Sequence, residues 1–283
     1  MKLFIKKILN FLIRLKIIIL FKFRLGRFLI DKIIIAIFSL KKTILHNKIN
    51  LTFHAPNRMN FYRIQTFSTK EPETLEWIDS FEKNKIFWDI GANIGLYSCY
   101  AAKKNNCKVF AFEPSIFNLE LLSRNIHTNS LSDKITIVPI PLSDNSGFKN
   151  FFITNKDWGG AFSNFGESLD HHGKPLKKDF YYKTLGISMD EAIKSIKIEQ
   201  PNYIKMDVDG IEHLILKGAS NTLKNTESIL IEVNKQNRKQ SNEIEKYLLE
   251  SNFKIKKRKQ IEVMENFKNV PYFYNEIWEK NEN

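Results

Sequence analysis

The stretch WDIGANIGLYS (residues 88–98) places an acid, Asp89, just ahead of two glycines, Gly91 and Gly95. An apolar run precedes it and a helical pattern follows. A strand that ends in an acid, turns on glycine and enters a helix is where open α/β sheets receive their ligands. Glycine leaves room for a ligand to approach the backbone closely. The residue types narrow the choice of ligand. A phosphate-gripping loop needs Gly-Lys-Ser/Thr, which this stretch lacks. A dinucleotide fingerprint needs a middle glycine, also absent, and Asp89 would face a pyrophosphate with like charge. A cation-bearing ligand suits the acid better. S-adenosylmethionine has a sulfonium and an amino group and no phosphate.

A second acid agrees. Glu113 closes KVFAFEP, at the distance beyond Gly91 where an acidic residue reaches a ribose in nucleoside-binding folds. Its carboxylate can accept from both vicinal hydroxyls, with Pro114 ending the strand beside it. Further on, PLSDNSG carries Ser143 and Asp144. Asp144 is placed to meet the exocyclic amine of an adenine, and equally placed to initiate a turn.

The elements that must position these residues alternate. KIFWDIG (85–91), KVFAFEP (108–114), ITIVPIPLSD (135–144), NYIKMDVDG (202–210) and SILIEVN (228–234) read as strands. GLYSCYAAKKN, SIFNLELLSRNIHTN and IEHLILKGASNTL read as helices between them. Ser115 is a plausible N-cap, with Leu119, Leu122 and Ile126 on the apolar stripe. The pattern predicts an α/β fold, a mostly parallel sheet with helices on both faces. Residues 149–185 read as a hairpin and a long loop rich in glycine and aromatics, with His171 and His172 in it. Such a loop over a rigid sheet tends to carry function. Trp158, beside Gly159 and Gly160, is its best candidate for stacking on a sugar ring. Cys99 and Cys107 have no metal or redox spacing and read as reduced bystanders in a cytoplasmic protein.

Charge divides the chain in two. Residues 1–50 hold twelve basic residues and one acid, so +11 of the formal +13 lies there. The nearly neutral remainder disfavours a body that grips nucleic acid. Residues 1–50 are also rich in Ile, Leu and Phe. Charges interrupt them too often for a membrane-spanning helix, and they lack the h-region of a signal peptide. They are expected to form a basic-hydrophobic helical segment lying on a membrane surface, with a packing helix and a nucleic-acid arm as the alternatives. Residues 51–283 are expected to form one domain.

Four blocks together resemble the FkbM family of S-adenosylmethionine-dependent methyltransferases: FWDIGANIGLYS, VFAFEPSIFNLELLSRNI, YIKMDVDGIEHLILKGA and ILIEVN. In the third, Lys205, Asp207, Gly210 and Glu212 match the family pattern, and Asp209 stands where glutamate is more usual. The resemblance covers roughly residues 60–280. It implies a class I methyltransferase (Rossmann-like) sheet of seven strands, with FKIKKRK and NEIWEK as a final antiparallel pair. It also implies oxygen methylation, commonly on sugars or secondary metabolites. Carried over, Asp89, Gly91, Asn93 and Gly95 line the methionine and ribose end. Glu113 holds the ribose, and Asp144 the adenine. Asp207 faces the transferring methyl, with Asp209, Glu212 and His213 just beyond.

Methyl transfer to a hydroxyl asks for alignment and for a base. Asp207 is the first candidate base, His213 the second and the histidine pair the third. Asp207, Asp209 and Glu212 also have the oxygen donors a divalent ion takes. The expected acceptor is a small molecule or glycan. The competing readings are a nucleic-acid methyltransferase and a cofactor-binding module without catalysis. Against the former, no Asn/Asp-Pro-Pro-Tyr/Phe motif follows the fourth strand.

Overall fold

A computed structural model describes residues 2–167, 180–260 and 272–281. In chain order the elements are α1 (Lys2–Phe21), α2 (Arg24–Ser39), β1 (Lys41–His46), β2 (Ile49–His54), α3 (Arg58–Gln65), α4 (Phe67–Lys70) and α5 (Pro72–Asp79). They continue with β3 (Ile86–Ile90), α6 (Leu96–Asn105), β4 (Lys108–Phe112), α7 (Ile116–Thr128), β5 (Ile135–Val138), β6 (Gly147–Ile153), β7 (Asn164–Phe165) and β8 (Phe180–Gly186). The last are α8 (Met189–Lys194), β9 (Tyr203–Met206), α9 (Glu212–Lys217), β10 (Ser228–Asn234), α10 (Arg238–Glu250), β11 (Phe253–Gln260) and β12 (Phe273–Lys280).

The main sheet has seven strands in the order β11-β12-β10-β9-β3-β4-β5. β10, β9, β3, β4 and β5 run parallel, and β12 runs against both of its neighbours. This is the class I methyltransferase arrangement expected above, reversed strand included. The central strands are apolar runs because both of their faces are covered. In β3, Phe87 joins the core on one face, and Trp88 and Ile90 join the core on the other. α3 to α7 and the β1–β2 hairpin cover the first face. α8 to α10 and a small antiparallel sheet, β7-β6-β8, cover the second. The strand order switches at β3, between β4 and β9, so a crevice opens at the carboxyl ends there.

Three expectations need correction. The helical segment expected over 1–50 ends at Ser39, and residues 41–54 form the hairpin β1–β2. Asn47 and Lys48 both adopt positive φ, 45° and 66°, as a two-residue turn of this twist requires. The hairpin is fastened to the body, since the amides of Thr52 and His54 donate to the side chains of Asn129 and Asn125. The 50/51 division therefore falls inside one hairpin. The third strand stops at Val138, because Pro139 and Pro141 offer no N–H to the ladder. Ser115 stands at the N-cap of α7, but its hydroxyl makes no cap bond.

Candidate active site

The turn after β3 is built on backbone contacts. The amides of Gly91 and Ala92 both donate to the carbonyl of Phe112, each at 3.0 Å. Gly91 has φ +86°, and a Cβ there would lie 2.0 Å from the carbonyl oxygen of Asp207. Gly95 has φ +82°, and a Cβ would lie 2.5 Å from Leu122. Both glycines are thus required by neighbouring protein, the residue just past the end of β9 in one case and α7 in the other. Asn93, between them, adopts φ 51°. Its amide donates to Glu113 Oε2 at 2.8 Å, while the Ser115 amide donates to Glu113 Oε1 at 2.7 Å. Burial pushes the Glu113 carboxyl up to about 7, against the pull of these donors.

Beside this turn lies a cleft enclosing about 570 Å³, part of it open to solvent. Gly91, Asn93, Glu113, Pro114, Asp207 and Asp209 line it, with Leu142, Phe151 and Phe165 on its apolar flank. Residues 157–163 pass across it as a strap. Side chains from several elements hold the strap by its backbone. Asn57 and Asn60 donate to the Trp158 carbonyl, and Arg63 to that of Gly159. Asn93 and Asn118 donate to the Gly160 carbonyl. Asn118 also accepts from the Gly159 amide, and Asp209 from the Phe162 amide.

Charges are paired along the floor. Asp89 and Lys205 are register partners on β3 and β9. Lys205 is 2% exposed and donates to Asp207 Oδ2 at 3.0 Å. Its ammonium lies over the Tyr97 ring. Burial alone would lower the Lys205 pKa, but the carboxylates of Asp207, Asp89 and Glu71 outweigh it and raise it. Glu71 pairs with Lys70 and accepts from the Tyr97 hydroxyl. Burial opposes its charge, yet Lys70 and Lys205 hold its pKa down at about 2. Asp89 accepts from Ser98 at 2.5 Å, and burial raises its pKa. Burial and the Asp207 charge push Asp209 up to about 7. Burial pushes Glu232 well up, reinforced by the charges of Asp207, Asp209, Glu212 and Glu71.

The sequence-predicted residues divide accordingly. Asp207, Asp209, Gly91, Asn93, Glu113 and Pro114 meet at the cleft; Asp89 sits beneath it, joined through Lys205. Gly95 shapes the turn without lining the cleft. Ser143 and Asp144 stand apart from the lining, and Lys149 and Lys217 hold the Asp144 carboxylate. Glu212 turns to its own loop and accepts from the amides of Val208 and Gly210. Burial raises its pKa to about 7. His213 packs toward Glu243 of α10, and burial lowers its pKa. Trp158 presents its ring to Phe38. His171 and His172 lie outside the described residues. Among the described residues no group of three or more His, Cys, Asp or Glu is arranged to hold a metal ion. Sequence reasoning missed Arg63, Lys70 and Glu71, which reach the site from the α3–α5 region with no motif of its own, and Asn118, which lies inside the second quoted block without being singled out. It named Lys205 without a role.

Two buried acceptors at this turn, Asp89 Oδ1 and Asn93 Oδ1, have no protein partner. Unpaired acceptors next to an acid suit a ligand with cationic and N–H donors, and S-adenosylmethionine is such a ligand. Comparison with known proteins agrees. The profile of the Methyltransferase FkbM domain matches residues 89–255. Hexuronic acid methyltransferase AglP of Haloferax volcanii is 29% identical over 61% of this chain; the match spans 65% of that protein, just under two thirds. Methyltransferase sdnD of Sordaria araneosa is 29% identical over 57% of this chain and 73% of its own length. Among solved structures, a precorrin-6y C5,15-methyltransferase from Geobacter metallireducens covers 75% of this chain and 87% of its own. At 14% identity and a TM-score of 0.45, that likeness is too distant to add to the sheet order described above.

Proposed function

The chain belongs to the FkbM methyltransferase family, and from that premise we propose that it is an S-adenosylmethionine-dependent O-methyltransferase acting on a hydroxyl of a sugar, within a glycan, glycolipid or nucleotide sugar. The observation that carries this reading is the place of Asp207. It is a partly exposed carboxylate in the cleft, tied to a buried lysine and one backbone contact from the glycine turn.

S-adenosylmethionine is the cofactor. Asp89, Gly91 and Asn93 would hold its methionine and ribose end, and Glu113 its ribose hydroxyls. The apolar flank at Leu142 and Phe165 would take the adenine, in place of Asp144, which two lysines already occupy. Bound there, the cofactor supplies a methyl group made electrophilic by its sulfonium. Asp207 accepts the proton of the acceptor hydroxyl as that oxygen becomes nucleophilic. Lys205 is a positioning residue that holds the Asp207 carboxylate toward the cleft.

A sugar acceptor is supported by the similarity to a hexuronic acid methyltransferase. It also agrees with the charge distribution, which leaves the body a formal net charge of only +2 once the +11 of residues 1–50 is taken from +13. Among the described residues, no helix is long and apolar enough to cross a membrane. α1 and α2 nevertheless expose large apolar side chains along their length, Phe4, Ile5, Phe11, Leu25 and Phe28 among them, between basic residues. That composition supports peripheral contact with the inner, anionic face of a membrane.

The test is incubation with methyl-labelled cofactor and fractionated cell extract. Label entering a saccharide-bearing fraction is expected, and Asp207→Asn should slow its entry at least about a hundredfold. Label confined to RNA or protein would overturn the sugar reading.

A further inference from the structure

The last turn of α2 ends on the strap. Phe38 meets the Trp158 ring edge-on, with centroids 4.8 Å apart. The Arg124 guanidinium lies 4.9 Å over the same phenylalanine. The Phe38 carbonyl is hydrogen-bonded to His54 Nδ1 at 2.6 Å. The end of α2 is thus fixed to the body, and Gly160 and Ala161, next along from Trp158, line the cleft. From this fixed end the helix pair folds back on itself. Gly26 sits so close to the Leu20 backbone that a Cβ would lie 1.9 Å from its carbonyl oxygen. Nine basic residues and one acid are spread over residues 2–39. The uncovered apolar side chains and this charge together fit an anionic lipid surface.

We infer that α1 and α2 seat the cleft mouth against the bilayer, and that the acceptor is a saccharide carried on a lipid. This rests on the membrane contact proposed above and adds the orientation. A saccharide bound to a lipid stays at the interface, where an anchor fixed beside the strap would place the cleft. A freely diffusing nucleotide sugar would gain nothing from that placement.

Tryptophan fluorescence tests it in the full chain. Of the four tryptophans, Trp77, Trp88 and Trp278 are 4%, 0% and 2% exposed, and Trp158 alone is half-buried. Vesicles of phosphatidylglycerol and phosphatidylcholine, with a spin label on the headgroup, should bind the protein. They should also quench a part of its emission that Trp158→Phe removes. Binding without quenching of the Trp158 component would overturn the orientation while leaving membrane contact intact. Absence of binding, or retention by RNA alone, would overturn membrane contact itself and the orientation with it. In the labelling experiment, the methyl group should enter material extracted by organic solvent. Label found only in water-soluble nucleotide sugar would overturn the lipid-borne acceptor.

Discussion

Glu113 holds its own turn together through two amides, and in the proposed function the same carboxylate also takes the ribose. Of these, the Ser115 amide is buried and the Asn93 amide half-buried, and leaving the buried one unsatisfied costs about 1–3 kcal/mol. Glu113→Ala should therefore lower the melting temperature as well as cofactor affinity, whereas Glu113→Gln should keep much of the fold. Calorimetric titration with S-adenosylhomocysteine separates the two effects. Because burial pushes the Glu113 carboxyl up to about 7 and the proposed contact to the ribose hydroxyls needs the ionised form, affinity should rise from about pH 6 to about pH 8. Glu113→Gln should flatten that rise; an unchanged slope would remove Glu113 from the site. At Asp207, Asn substitution should lower kcat by about 10²–10⁴ with little change in cofactor affinity. A comparable loss of affinity would make it a binding residue instead. Lys205→Met strands three carboxylates around a buried gap. Removing one partner of a buried pair costs about 3–5 kcal/mol. Combining it with Asp207→Asn should cost less than the sum of the singles, since the two share one interaction. Thermal melts of the four proteins would reveal simple additivity if the contact carries no energy.

At the scale of elements, the central strands were legible because burial on both faces makes each an uninterrupted apolar run. Their turns were legible through Gly91 and Gly95, though for another reason than the one read from the sequence. A Cβ at either position would meet Asp207 or Leu122, so neighbouring protein already demands glycine there. Gly91→Ala should accordingly destabilise the protein and weaken binding together, because a Cβ would push β9 away from β3. The sequence did not reveal that Glu212 caps its own loop, that His213 faces α10 or that Lys70 and Glu71 complete the floor. Such facts depend on tertiary packing of short helices, where spacing carries no signal. The loop carboxyls also set a pH dependence. Glu113, Asp209 and Glu212 all titrate near 7 when folded, above their ordinary 4.5, 3.8 and 4.5. Raised carboxyls stabilise when protonated, and that stability is lost as pH rises from the unfolded values through 7. Glu71, held near 2, contributes above 4.5 and loses that contribution on acidification toward 2. The cofactor-free protein should therefore melt lower at about pH 8 than at about pH 5. Glu212→Gln, which still accepts from the loop amides, should reduce the difference.

At the scale of the molecule, opposite charges are kept apart: the basic helices lie at one end of the chain, and the charged residues that line the cleft, Glu113, Asp207 and Asp209, are all acids. Sedimentation with anionic vesicles should be strong and should weaken as salt screens the lysines and arginines, each worth about 1 kcal/mol near the surface. It should not vanish in high salt, because burial of Ile, Leu and Phe is insensitive to screening. Removing residues 1–23 should weaken it sharply, with α2 still contributing, while leaving S-adenosylhomocysteine binding, since the hairpin and Phe38 remain. Aggregation of that truncated protein would instead mark α1 as a packing helix. The strap that joins these two ends is clasped almost wholly by amide, guanidinium and carboxylate groups on its backbone. Water can replace each of those bonds one for one as the clasp parts, which apolar packing does not allow. The strap should therefore breathe independently of the sheet beneath it. In deuterium oxide, the amides of Gly159 and Phe162 should exchange well before those of Asp89 and Lys205, and turnover should be paced by how often the clasp lets spent cofactor out.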